Sequence, residues 1–378
     1  MRNTRERRFN NSGVVSWNTR TASVLITLVL LTSAARAEES NWQAAAEELQ
    51  RKGDLSGAEK ALKGSLREAS ASGPRSLKVG EALAVLGVFY QEIGRFSQAE
   101  SCFTNSLGIF REIVGPNDLA LTPLVVHLAW LYVETGRAEA ARRLQPEAWV
   151  ERLTLGDPDS RFLPMVLETT AGVNALEGRF AAAQRIYQQN FDLLASRGSS
   201  VSVEMASALN NFGFIQLRAG HHSDASTHFS KALNLWLGFS DRYAVQVAMS
   251  RLGLAEAHVA VGRYVEAGDL LSQVLPVFEQ NYGPNSLRTE DVLTRYAEVL
   301  RRQKRRGEAE KMEERSRLIR RAAAADLAYK HVIDAREIGK TIRETDDAPQ
   351  RVQRPGHSSN ERRELRPALI TRPVMRRK

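Results

Sequence analysis

Residues 81–118, EALAVLGVFYQEIGRFSQAESCFTNSLGIFREIVGPND, define a pattern that returns along the chain every 42 residues. A glycine stands at Gly94, Gly136, Gly178, Gly220 and Gly262. A small residue sits seven places before each, at Gly87, Ala129, Ala171, Gly213 and Ala255, and Ala297 continues that column. Five places after come Ala99, Ala141, Ala183, Ala225, Ala267 and Ala309. Three columns holding one spacing over five or six copies mark a repeat array, in which each unit buries its apolar face only against its neighbours.

Each unit reads as two helices. Leu83, Leu86 and Tyr90 in the first helix, and Phe103 and Leu107 in the second, recur at helical spacing. The small residue lets the second helix approach, and the facing alanine does the same. The glycine ends the first helix, where a left-handed backbone is free of Cβ strain only for Gly. The copies start near Gly80, Thr122, Pro164, Ala206, Ala248 and Glu290. A degenerate copy precedes them, with Ala46, Gly53 and Ala58 set 41 residues before Gly87, Gly94 and Ala99, which brings the total to seven. Pro146 falls inside a second helix, where it removes a backbone donor and crowds the preceding turn, so a kink or an early break is expected there. In the last copy Lys304 replaces the glycine, and the following helix is crowded with charge, as the water-facing end of an array requires.

The segments LGVFYQEIGRFSQAESCF, LAWLYVETGRAEAA and LNNFGFIQLRAG, with the loops VGPND and YGPNS, resemble the tetratricopeptide repeat. The likeness is to its 42-residue variety, found in kinesin light chains and in bacterial relatives. It covers about three quarters of the chain. The resemblance implies an all-α fold, a right-handed α-solenoid of about seven helix hairpins, and a concave face lined by first helices that binds extended or helical peptides. On that face the positions one residue after the small column are Val88, Trp130, Gly172, Phe214, Glu256 and Glu298, and four further on lie Glu92, Glu134, Leu176, Arg218, Ala260 and Arg302. Asn211 matches the asparagine with which related repeats hold a peptide backbone. The lysine and arginine set that clamps a C-terminal carboxylate in chaperone-binding relatives is absent. Val88, Trp130, Asn211, Phe214 and Arg218 are therefore the expected contacts to an unidentified protein or peptide, with Trp130 and Phe214 as aromatic anchors. The competing expectation is that both rings pack against the neighbouring repeat.

The ends of the chain have a different character. Residues 1–37 read as an export signal: five arginines from Arg2 to Arg20, the apolar run Val24–Leu31, and Ala35-Arg36-Ala37 as the small-x-small cleavage pattern. Export to the periplasm or the exterior is expected, with an uncleaved inner-membrane anchor as the alternative. Residues 38–79 then hold the degenerate copy and its connector, and residues 80–334 the array with its capping helix. From 335 to 378 the chain has four prolines and 12 Lys/Arg against 6 Asp/Glu, and reads as a disordered basic tail. The chain is +9 overall, of which 1–37 supplies +5 and the tail +6, so residues 38–334 carry −2. The basicity belongs to the ends, where an acidic surface is a candidate partner for the tail. The array itself is a poor candidate for nucleic acid, and a membrane enters only if the N-terminal segment is retained.

The motif patterns of zinc peptidases, phosphate-binding loops and serine hydrolases do not occur. Cys102 is the single cysteine and reads as a small buried hydrophobe. His221, His222, Asp224, His228 and His258 form the nearest approach to a metal cluster, but adjacent histidines at a turn suit one ion badly. The expectation is an interaction scaffold with no catalytic, metal or cofactor site. Its alternative is an adaptor that docks or is tethered through its two ends.

Overall fold

The computed structural model describes residues 36–323, apart from 72 and 240–242. Among the described residues the chain is an all-α solenoid. Its helices are α1 (Arg36–Arg51), α2 (Leu55–Ala71), α3 (Leu77–Glu92), α4 (Phe96–Val114), α5 (Thr122–Glu134), α6 (Ala138–Arg142), α7 (Pro146–Gly156), α8 (Leu163–Leu176), α9 (Phe180–Ser196), α10 (Val203–Arg218), α11 (His222–Leu237), α12 (Ala244–Ala260), α13 (Tyr264–Tyr282) and α14 (Leu287–Arg302). Helical residues 306–323 form α15. The hairpins are α1–α2, α3–α4, α5 with α6–α7, α8–α9, α10–α11, α12–α13 and α14–α15, and each packs on the next. The export signal up to residue 35 and the basic tail lie outside the described residues, while Arg36 and Ala37 of the signal's cleavage pattern open α1. Among those described, no helix is long and apolar enough to cross a membrane.

The repeat columns have clear physical roles. Gly94, Gly136, Gly178, Gly220 and Gly262 have φ between 72° and 83°, as a left-handed helix end demands. Lys304 adopts the same conformation, φ 64°, with a side chain that disfavours it. The alanine column from Ala99 to Ala309 is fully buried. A Cβ on Gly87 would stand 2.8 Å from the Phe103 ring and one on Gly213 2.8 Å from Phe229, with no alanine of that column among the nearest atoms. At Gly87 and Gly213 the small column thus makes room for an aromatic ring of the second helix.

At the expected break, the second helix of the third hairpin splits into α6 and α7, with Gln145 left-handed at φ 52° and Pro146 opening the new helix. Pro needs no N–H partner at a helix start, so this break satisfies the backbone.

A further column emerges only with the hydrogen bonds. Ser76, Asp118, Ser160, Ser202 and Ser286, each 42 residues from the next or twice that, accept from backbone N–H groups at the hairpin starts. Short polar side chains there satisfy donors that a helix start leaves free. Successive hairpins are also stapled. Glu59 accepts from Tyr90 at 3.0 Å and Arg95 at 2.6 Å, and Glu100 repeats this with Tyr132 at 3.0 Å and Arg137 at 2.7 Å.

Candidate functional site

The inner helices α3, α5, α8, α10 and α12 are buried along almost their whole length. A helix buried on all sides must be apolar or internally paired on every face. This overturns the expected open concave groove. Val88 is 1% exposed, Trp130 0%, Asn211 1% and Phe214 2%. The Trp130 ring fills the space that Gly172 leaves on the next inner helix, where a Cβ would stand 3.3 Å from it. Phe214 meets Phe229 edge to face at 4.8 Å. Asn211 donates to Glu168 at 2.7 Å and so is already occupied. Trp130 thus packs against the next repeat, whereas the ring contact of Phe214 is to the second helix of its own hairpin.

Arg218 differs from the other four. It lies in the last turn of α10 and is exposed. It makes no hydrogen bond or ion pair among the described residues, while the protein around its guanidinium lowers its pKa by desolvation. Its column runs from buried to open: Glu92 is buried, Glu134 and Leu176 are intermediate, and Arg218, Ala260 and Arg302 are exposed. Arg302 donates to Glu298 at 3.0 Å, and its guanidinium lies over the Tyr264 ring. The rim formed by the C-terminal ends of the later inner helices is therefore the accessible part of the predicted face, and Arg218 is its unpaired charge.

The buried part of the face is polar. Gln91 donates to Glu134 at 3.3 Å, and His127 Nδ1 lies 3.4 Å from Gln91 Oε1. Glu92 accepts from Gln50 at 2.9 Å. Arg295 bridges Glu256 at 2.8 Å and Asp291 at 3.0 Å. Burial raises the Glu256 pKa despite Arg295, and pushes that of His127 down to about 3. His127 is consequently neutral, stacked 5.4 Å from Phe103.

Other sequence candidates resolve as parts of the packing. Cys102 is fully buried. His228 bonds the Asp224 carbonyl at 2.8 Å and packs edge-on to Phe212, and its pKa is lowered mainly by desolvation. Among the described residues no group of three or more His, Cys, Asp or Glu is arranged to hold a metal ion.

Residues 246–322 match the family described as Tetratricopeptide repeat. Among solved structures, the chain is similar to the Cut9–Hcn1 hetero-tetramer of the APC/C, at 16% identity over 80% of this chain and 50% of that one, with a TM-score of 0.50. It is also similar to BtubC (BKLC) from P. vanneervenii, at 20% identity over 59% of this chain and 90% of that one, with a TM-score of 0.44. Kinesin light chain TPR-like repeats from Podosopora anserina match at 17% identity over 55% of this chain and 98% of that one, with a TM-score of 0.43. At these identities the likeness is one of fold. No curated protein sequence matches the chain.

Proposed function

We propose that this chain of tetratricopeptide repeats is a protein–protein interaction scaffold that engages its partner at the inner rim around Arg218. One observation supports this above the rest: Arg218 is exposed, cationic and without a partner among the described residues. Most other arginines near the hairpin turns are already paired, as Arg95, Arg137, Arg179 and Arg305 are. A carboxylate on an incoming peptide would supply the charge-assisted hydrogen bonds that this guanidinium lacks. The neighbouring column positions Leu176 and Ala260 offer apolar surface beside it. Trp130 and Phe214 contribute by holding the inner helices in register.

The setting we propose is outside the cytoplasm, on the strength of the leader in residues 1–37. A mature N-terminus at Glu38, read by mass measurement, agrees with export and cleavage, whereas retention of the segment supports the tethered adaptor.

The test is affinity capture from an envelope extract with the full chain as bait, beside Arg218→Glu and a chain ending at residue 334. The reading expects a discrete protein captured by wild type and by the shortened chain, and lost with Arg218→Glu while helical content is unchanged. Capture that survives Arg218→Glu but disappears with the tail would place the interaction on the basic end instead.

A further inference from the structure

Arg288 is the residue that joins the two ends of the array. It lies at the start of α14, in the seventh hairpin, yet the hydrogen bonds of its guanidinium reach the second and third. Nε donates to the Glu92 carbonyl at 2.7 Å. Nη2 donates to the Gln91 carbonyl at 2.8 Å and to Glu134 Oε1 at 2.7 Å. The guanidinium also lies over Phe96, 5.6 Å from its centroid, and over Tyr282 at 5.4 Å. These groups are up to 197 positions apart in sequence. Beside them, a Cβ on Gly94 would touch Arg288 at 3.4 Å, one on Gly53 the Gln280 carbonyl at 3.3 Å, and one on Gly283 the Leu55 side chain at 3.7 Å. The solenoid has wound through one turn and met itself.

The placement of Arg288 is odd within its own helix. A cation in a first turn opposes the helix dipole, whereas a cation against the last carbonyls of α3 is favoured. The other residues at this repeat position are Lys78, Ala120, Phe162, Glu204 and Gln246, so no shared repeat function calls for arginine. Its role belongs to the seam.

We propose that Arg288 is a latch holding the superhelix closed, and that the chain has a second, open state in which residues 53–55 and 91–96 part from 280–288. Three arguments carry this. Every hairpin buries its apolar faces against its sequence neighbours, so the array stays folded when the seam parts. The polar part of the seam, with its ion pair, centres on one guanidinium whose partners must be desolvated to meet it. Parting would also uncover the buried Gln91 and Glu92 and free the Glu134 carboxylate that Arg288 now covers. Low-stability contacts of this kind are where a folded protein opens first.

The test compares full-length wild type, Arg288→Ala and Arg288→Lys by small-angle scattering and amide hydrogen exchange. Arg288→Ala should enlarge the radius of gyration and speed exchange at residues 91–96 and 280–288 by about tenfold or more, with exchange in α10 and α11 unchanged. Arg288→Lys should fall between, because an ammonium cannot span both carbonyls and the carboxylate. Wild-type scattering and exchange in the alanine variant would overturn the latch. So would global loss of helicity in that variant combined with wild-type seam exchange in the lysine variant, since Arg288 would then be a core residue only.

Discussion

Phe229 is wedged against three inner-helix positions: Gly213 and Phe214 of its own hairpin, and Gly253 of the next. A methyl added at Gly213 must displace the ring, so Gly213→Ala should destabilise the array by about 1–3 kcal/mol through overpacking. Gly108, in the interior of α4, has nothing within 4 Å of its Cβ position. Gly108→Ala should therefore stabilise by about 0.5–1 kcal/mol, on helix propensity alone. Chemical denaturation of the pair separates packing from propensity within one repeat type. His127 offers a pH test. Its folded pKa of about 3 lies below the unfolded value near 6.5, so unfolding takes up a proton as the pH falls between them. The stability present above pH 6.5 is thus lost progressively towards pH 3. Urea melts of wild type and His127→Gln across that window should diverge, with the variant losing less.

At the scale of the element, the last hairpin shows how a degenerate copy is tolerated. Lys304 stands where the six other copies have glycine, and it keeps the left-handed turn at φ 64°. The turn is imposed by the α14–α15 packing, and the lysine bears the strain. Lys304→Gly should raise stability by about 1 kcal/mol, seen as a higher denaturant midpoint with an unchanged slope. Much of this level is legible in sequence. The glycine column places the turns, and Pro146 places the break between α6 and α7. The capping column Ser76, Asp118, Ser160, Ser202 and Ser286 was open to reading too, since Ser and Asp at helix starts are a sequence signal. It is obscured because Ala244 interrupts it and loop lengths vary around it.

For the whole molecule, α15 closes the open end. It covers α14, where Val292, Leu293, Val299 and Leu300 are buried, while its own outer face is charged. A chain ending at Arg305 would expose that stripe to water, and should associate in solution more strongly than wild type. Light scattering after size-exclusion chromatography checks this. The 42-residue period, the two helices of each unit, their turns and the count of seven follow from the sequence by itself, because spacing and residue size act locally. The fate of the inner face does not. Val88, Trp130, Asn211 and Phe214 were placed correctly on the first helices, but whether such positions meet water or protein depends on how far each repeat rotates against the next. That rotation is a sum of small packing terms, such as Gly172 admitting Trp130. Arg288 reaching Glu92 and Glu134 is the same point at its limit. Its first-turn position in α14 is unusual for a cation, but nothing local names its partners, and only the accumulated turn of the superhelix brings them within reach.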